Sequence, residues 1–335
     1  MSDPLGAEET QAKPLFMAVL NSTKQLYQVL KCLNFSTGGS KVHIQISQDS
    51  IRFSAEYGRT MQGVADLSHE LFSSYELNLP DEDDLTLPRF QISLPALLET
   101  LQIFGAAEQA SRAGKDSDGY SNVRNYRSNH RPDAFSNQAV GLGNTCTFVY
   151  LEEGSRLSIV IQESNITTTC NLATYLADHE NDIPFDRQSI NFKIIMLSPH
   201  LLDSLAELAP SGPSRVTIVI SDRSPYLSLS SSGTSNLGST SVDFGKAREL
   251  LETFDATDRW VQSFQFDMIK YATEAMRISQ KVSLRGDGQG VLNAQFLIPV
   301  EGAQGVSPCF LDFLFVPSIE VDEEETEVFG VANGD

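Results

Sequence analysis

The side chains best suited to catalysis lie in an acidic block at residues 80–84, with the sequence PDEDD. Carboxylates that hold two metal ions are the basis of metal-dependent nucleases, so a metal-dependent 3'-5' DNA exonuclease is one hypothesis for the chain. Metal-binding carboxylates usually converge from separate elements, however, whereas contiguous acids shortly before a proline, here Pro88, are typical of a solvated loop. The nuclease is therefore the least favoured function.

The other residues capable of chemistry do not form a known catalytic or metal-binding pattern. The five histidines lack the HxxxH spacing of a zinc site, and the four cysteines include no CxxC pair. Asp116 and Asp118, followed by Gly119, resemble the start of a calcium loop, but the third acid and the closing glutamate are missing. We therefore predict no catalytic residues, no metal and no cofactor, and a protein that is not an enzyme.

Basic residues form stripes on two predicted helices, on the faces that the apolar residues leave free. These bases are Lys24 and Lys31 in helix 23–33, and Lys270 and Arg277 in helix 268–278, with Lys281 just beyond. Each stripe is either an ordinary solvated face or a surface that contacts a phosphate backbone. The net charge of −20 argues against a simple nucleic-acid binder, although part of the acid is concentrated in residues 80–84 and 320–327.

The elements that carry these stripes occur twice along the chain. The stretch VHIQISQDSIRFSA at Val42 aligns without gaps with VTIVISDRSPYLSL, which begins 174 residues later at Val216, so that Phe53 falls on Leu227. Both alternate apolar and polar residues around a polar turn, which predicts a β-hairpin with one buried face.

Two further blocks repeat at nearly the same offset. In one, a short strand leads through Ser22 or Ser198 into a helix, and we expect each serine to act as the N-cap. In the other, a strand turns directly into a second helix, at 90–103 and again at 264–277. Three blocks in the same order indicate an internal duplication.

The predicted fold is α+β, with two tandem domains that each place an antiparallel sheet on one side and two helices on the other. A Ser-, Asn- and Gly-rich segment that interrupts the repeat lacks periodicity and predicts a disordered insertion. The predicted organisation is a disordered tail at 1–14, a first domain at 15–174 with the insertion at 105–143, an extended connector at 175–189, a second domain at 190–319 and an acidic tail at 320–335.

Taken together, these segments resemble the DNA sliding clamp superfamily. FLFVPSIEVDEEE at 313–325 resembles the closing strand and acidic tail of proliferating cell nuclear antigen, and DIPFDRQ at 182–188 resembles the end of its interdomain loop. Within the superfamily the chain is most similar to the Rad-one-type subunit of the heterotrimeric nine-one-one checkpoint clamp. That similarity is carried by LNSTKQLYQVLKCLNF (20–35), FQISLPALLETLQIFG (90–105), FVYLEEGSRLSI (148–159) and KVSLRGDGQGVLNAQFLI (281–298).

The resemblance implies a ring of six similar domains from three subunits, with helices around the hole and sheets outside. Such a ring encircles double-stranded DNA without reading its sequence and serves as a platform for checkpoint and repair effectors in the nucleus. It implies two other clamp subunits and a clamp loader as partners, and no membrane. A self-trimerising replicative clamp is the alternative. Helix 94–104 has no basic residue and helix 198–208 exposes mainly acids, so only two of the four helices are basic, and DNA contact is expected to depend partly on the partner subunits.

The resemblance also assigns contacts between proteins. Subunits join head to tail through sheet edges, and the polar strands 164–174 and 235–244 are the candidates. Their interface residues would be Ile166, Thr168 and Cys170 on the first strand, and Leu237, Ser239 and Ser241 on the second. A groove beneath the connector would bind apolar side chains of client peptides, or its residues would only anchor the connector. That groove would be formed by Ile183, Pro184, Val316, Pro317 and Ile319.

Overall fold

The computed structural model describes residues 13–21, 23–35, 40–79, 87–102, 145–163, 166–177, 182–232, 238–302 and 305–318. The predicted insertion and acidic tail, and nearly all of the predicted N-terminal tail, lie outside these ranges. Within the described ranges, the elements are strands with one buried face and short amphipathic helices. Their side-chain patterns follow the two periodicities seen in the sequence.

The first half contains ten strands and two helices among its described residues. They are β1 (Phe16–Leu20), α1 (Thr23–Lys31), β2 (Lys41–Ile46), β3 (Ser50–Tyr57), β4 (Met61–Ser68), β5 (Ser74–Leu77), β6 (Arg89–Ser93), α2 (94–102), β7 (Thr145–Tyr150), β8 (Leu157–Glu163), β9 (Ile166–Leu172) and β10 (Thr174–Leu176). A short 3-10 turn, His69–Leu71, separates β4 from β5.

The second half follows a similar order. Its elements are β11 (Ile190–Leu197), α3 (Ser198–Leu208), β12 (Arg215–Ile220), β13 (Leu227–Ser232), β14 (Ser239–Phe244), β15 (Thr253–Ala256), β16 (Trp260–Gln265), α4 (Phe266–Tyr271), α5 (Thr273–Ile278), β17 (Lys281–Asp287), β18 (Leu292–Gly302) and β19 (Gly305–Phe315).

Three antiparallel sheets contain these strands, which confirms the predicted α+β fold. The strand orders are β5-β1-β7-β8-β9, then β10-β6-β2-β3-β4-β19-β18-β17-β11-β15, and β14-β13-β12-β16. The ten-stranded sheet crosses from one half to the other where β4 pairs with β19, from Asp66 opposite Phe310 to Met61 opposite Phe315. The two halves therefore share one continuous hydrogen-bonded sheet.

Strand β4 shows how the two faces of this sheet are used. A Cβ atom at Gly63 would lie 2.6 Å from Phe35 and 2.9 Å from Leu33, two residues that follow α1. Gly63 is therefore required where the chain after α1 packs directly on the sheet, and it marks the face that carries the helices. Because side chains alternate along a strand, Gln62 and Val64 project from the opposite, outer face.

Local details correct the sequence prediction at two points. In the structure Ile44 pairs with Phe53 but Ile218 pairs with Leu229, so the counterpart of Phe53 is Leu229 and not Leu227. The second hairpin has a turn longer by two residues. The start of the connector differs too, because residues 174–176, predicted to end the domain and begin an extended connector, form β10 and pair with β6.

The helices depart from the prediction in two ways. Ser198 is not an N-cap: it is the first residue of α3, fully buried, and its hydroxyl receives a hydrogen bond of 2.7 Å from Ser279. Helix 268–278 is broken at Ala272 into α4 and α5. The Thr273 hydroxyl donates to the Lys270 carbonyl at 2.7 Å, and this local bond competes with the helical pattern. Ser22 lies outside the described residues.

Candidate functional sites

The basic helix surface combines residues from both halves of the chain. Helix α1 lies beside α5, and Glu274 on α5 forms ion pairs in two directions. Its Oε2 lies 3.3 Å from Lys31 Nζ on α1, and its Oε1 contacts Arg277 Nη1 one turn along α5. The structure therefore brings Lys31 and Arg277 to one place, on either side of the Glu274 carboxylate.

The two remaining bases on this surface differ in their surroundings. Lys270 Nζ lies 3.6 Å from Asp267 and also above the ring of Phe266, 5.9 Å from its centre. Lys24 is half-buried on α1, and among the described residues no carboxylate pairs with it. Three of the four helix bases thus carry a counterion from their own chain, so the surface is less positive than the count of its bases suggests.

The structure separates Lys281 from this surface. Lys281 begins β17, and its neighbour Val282 is fully buried in the core. Because alternate residues of a strand face opposite ways, Lys281 projects from the outer face, where its Nζ lies 2.7 Å from Glu252. Lys281 therefore does not share a face with the helix bases, because the helix ends before Lys281 and the periodicity changes from 3.6 to 2.

Strands β9 and β14 end their sheets. Among the described strands, β9 pairs only with β8 and β14 only with β13. Thr168, Ser239 and Ser241 are exposed on them and Cys170 is half-buried. Ile166 is the first residue of β9, whereas Leu237 lies outside the described residues.

These edges are long and polar. They present seven and six residues respectively, and an unpaired edge of this length is a template for pairing with another chain. The other end of the four-stranded sheet, β16, is partly covered, because Ser318 N donates to Ser263 O at 2.7 Å.

Burial distinguishes three of the four cysteines from the fourth. Burial raises the pKa of Cys32, Cys146 and Cys309 to about 12, so these three remain protonated at neutral pH. Cys170 is the one cysteine that is not buried. A thiol reagent can therefore distinguish the β9 edge from the core.

The connector crosses the outer face of the ten-stranded sheet and is held at two points. At the first, Gln62 of β4 accepts a hydrogen bond of 2.9 Å from Ile183 N and donates one of 2.5 Å to Asp182. At the second, the buried carboxylate of Asp287 accepts a hydrogen bond of 3.1 Å from Asp186 N. Neither anchor was identified from the sequence.

A cavity of about 260 Å³ lies between this connector and the sheet. Its walls are Arg52, Gln62, Val64, Asp66, Asp182, Ile183, Phe185, Arg187, Asn293, Asp312 and Leu314. Five of these side chains are charged, so the cavity is not the apolar groove that the resemblance implied.

The predicted groove residues are only partly in this place. Ile183 is buried and lines the cavity, whereas Pro184 is exposed and is not among its walls. Val316 and Pro317 are half-buried past the end of β19, where Val316 N donates to Thr60 O at 2.8 Å. Ile319 lies outside the described residues.

In the part of the chain that the structure describes, no group of three or more His, Cys, Asp or Glu side chains is arranged to hold a metal ion. The acidic block at 80–84 is not among the described residues. No described helix has the length and apolar content needed to cross a bilayer.

Comparison with known proteins identifies consistent relatives. The family model described as repair protein Rad1/Rec1/Rad17 matches residues 15–298. The chain is 25% identical to the mouse cell cycle checkpoint protein RAD1 over 94% of this chain and 97% of that protein. It is 26% identical to the DNA damage checkpoint control protein rad1 of Schizosaccharomyces pombe, over 93% and 89%.

A solved structure shows the same fold. The proliferating cellular nuclear antigen of Entamoeba histolytica superposes with a TM-score of 0.63, covering 92% of this chain and all of that one. The two sequences are only 14% identical. That likeness supports the arrangement of tandem clamp domains and carries no statement about clients or partners.

Proposed function

The chain belongs to the Rad1/Rec1/Rad17 family of repair proteins and is a subunit of the nine-one-one checkpoint clamp, and on this premise we propose that it helps to close a three-subunit ring around double-stranded DNA. Family membership over residues 15–298 is the observation that carries the proposal. The ring would act in the nucleus, be placed on DNA by a clamp loader and serve as a platform for checkpoint and repair effectors. The likeness to a replicative clamp at 14% identity is one of fold alone, so it does not favour the self-trimerising alternative.

We propose that β9 and β14 form the two joints with neighbouring subunits. Both are unpaired on one side among the described strands, and pairing with a neighbour's edge would satisfy their free backbone groups. Both carry short polar side chains, which suit a joint that forms between separately folded subunits.

Thiol labelling tests the β9 joint. In the free subunit we expect a thiol reagent at about pH 8 to label Cys170, while the three cysteines with a raised pKa react only after unfolding. In the assembled ring, Cys170 should be labelled at least about tenfold more slowly, because a paired edge excludes the reagent. Mass spectrometry of the labelled chain gives the rate at each position. Equal labelling of Cys170 in the free and assembled forms would rule out β9 as a joint.

We propose that the helix surface formed by Lys24, Lys31, Lys270 and Arg277 faces the enclosed DNA. Each base contributes a weak, salt-screened attraction to phosphate, and such contacts carry no sequence information. This combination suits a ring that holds DNA while it slides.

Charge reversal of this surface is the test. Changing all four bases to glutamate should reduce retention of the assembled ring on circular duplex by at least about tenfold at ~50 mM salt. The dependence of retention on salt should also become shallower, because each lost phosphate contact lowers the slope by about one. Retention measured across a salt series gives both quantities.

A matched control reverses four bases on the outer faces of the sheets, so that the net charge changes by the same amount as in the test variant. Its four exposed bases, each followed in its strand by a buried residue, are Lys41, Arg89, Lys193 and Arg215. Their reversal to glutamate should lower retention much less. If the two variants behave alike, the effect is one of net charge, and the helix surface does not face DNA.

We further propose that effectors dock at the connector and the cavity beneath it. The charged walls imply that such clients present polar or charged side chains in addition to any apolar anchor. Pro184, Val316 and Pro317 remain the proposed apolar contacts at its margin.

A further inference from the structure

Glu274 occupies a particular position in the proposed DNA-facing surface. It is the only carboxylate in the described part of the chain that forms ion pairs with two of the helix bases, one from each half. All three side chains remain accessible to solvent, with exposed fractions of 48% for Lys31, 38% for Glu274 and 56% for Arg277. A phosphate group approaching these bases therefore meets a carboxylate already between them.

Ion pairs at this level of exposure are weak, because water and salt screen them. Lys31 and Arg277 can thus exchange Glu274 for a phosphate at small cost, and the exchange is reversible. Glu274 itself remains in place and repels the phosphate. Its net effect is to reduce the attraction of this cluster for DNA by one charge without removing either base.

We propose that Glu274 sets how tightly the ring holds DNA, as an intramolecular counterion that competes with phosphate for Lys31 and Arg277. The proposal rests on the function proposed above for this surface and adds the residue that limits its affinity. Weak, exchangeable contacts permit movement along the duplex, so a ring without this carboxylate binds more tightly and slides more slowly.

The other acids near the bases are less suited to this role. Asp267 pairs only with Lys270, within one turn of the same helix. Glu252 pairs with Lys281 on the outer face of the sheet. Of the acids that the structure describes, Glu274 alone pairs with bases at the junction of α1 and α5, where the two halves bring their bases together.

The test uses Glu274→Gln in the assembled heterotrimer, because glutamine keeps the size of the side chain and removes its charge. Retention on circular duplex should rise about three- to tenfold at ~50 mM salt, and the difference should vanish at high salt. Diffusion of single labelled rings along duplex DNA should slow by a similar factor. Thermal unfolding of the variant subunit checks that the fold is unchanged.

Asp255→Asn is the matched control. Asp255 is exposed on β15 opposite Lys193, on the outer face of the ten-stranded sheet. The Asp255→Asn substitution changes the net charge by the same amount as Glu274→Gln, and retention should stay within about a factor of two of wild type.

The outcomes separate this proposal from the one on which it rests. One outcome is that Glu274→Gln leaves retention unchanged or weaker, while reversal of the four helix bases still weakens it. This outcome overturns the role of Glu274 and leaves the proposal of a DNA-facing surface intact. If neither change affects retention, both proposals fail. If Glu274→Gln and Asp255→Asn raise retention equally, the effect is one of net charge and the specific role of Glu274 is lost.

Discussion

Replacing Phe313 with alanine is expected to lower the free energy of unfolding by about 3–5 kcal/mol. Phe313 is fully buried on β19, the strand through which the second half pairs with β4 of the first. Its ring lies 5.9 Å from that of Phe35 and 5.8 Å from that of Phe296, between centres. Truncation would leave a cavity at the junction of the halves, beside Gly63, where the backbone has little room to collapse.

Phe310→Ala is the control for this change. Phe310 lies on the same strand but on the outer face, where 42% of it is exposed. Phe310→Ala removes the same atoms as Phe313→Ala, and we expect a smaller loss of about 1–2 kcal/mol, since much of the Phe310 ring already faces solvent. Urea unfolding of the three proteins measures both values. Equal losses for Phe313→Ala and Phe310→Ala would contradict the assignment of the two faces.

Replacing Asp287 with alanine is expected to cost about 2–4 kcal/mol and to release the connector. The Asp287 carboxylate, only 1% exposed, accepts backbone N–H groups from Gln289, Val291 and Asp186. Alanine would leave these donors without an acceptor, and the Val291 N–H is buried. Chemical unfolding measures the stability, and hydrogen exchange at residues 182–188 measures how well the backbone amides of the connector are protected.

Asp287→Asn separates the two roles of the carboxylate. Its amide oxygen can replace Oδ1, which accepts from the turn residues Gln289 and Val291, but its NH₂ group cannot accept from Asp186. We therefore expect a smaller loss of stability than for alanine, with comparable release of the connector. Effector binding should fall in both variants if clients dock on the anchored connector. Protection of the connector equal to wild type in Asp287→Asn would show that the contacts at Asp182 and Ile183, from Gln62 and Arg52, are sufficient to hold it.

Much of the fold follows from periodicity within single segments. The alternation around Ile44 and Ile218 predicted the hairpins, and the three- to four-residue spacing of Leu26, Val29 and Leu30 predicted α1. These patterns are local, because each reports only which side of its own element is buried. The two-residue error at Leu227 arose because polar turn residues do not reveal the length of a turn.

The candidate sites depend instead on residues far apart in the chain. Lys31 and Glu274 are separated by 243 positions, and neither sequence context indicates that α1 and α5 lie side by side. The charged cavity is a similar case: Asp66 and Asp312 belong to different halves and meet only because β4 pairs with β19. The resemblance indicated the connector segment at 182–188, but no local pattern indicated which charged side chains of distant strands lie beneath it.

The pairing of β4 with β19 has a mechanical consequence for any ring that contains this subunit. Six consecutive residue pairs cross the midline of the chain, and a hinge there would have to break their hydrogen bonds together with the aromatic contacts beneath them. The subunit is therefore stiff at its midline, and in the proposed ring a gap wide enough to admit duplex DNA has to form between neighbouring subunits. Machinery that opens the ring would act by separating neighbours, and we expect cross-linking of all three joints of the proposed ring, with the subunits otherwise unaltered, to prevent entry of closed circular DNA.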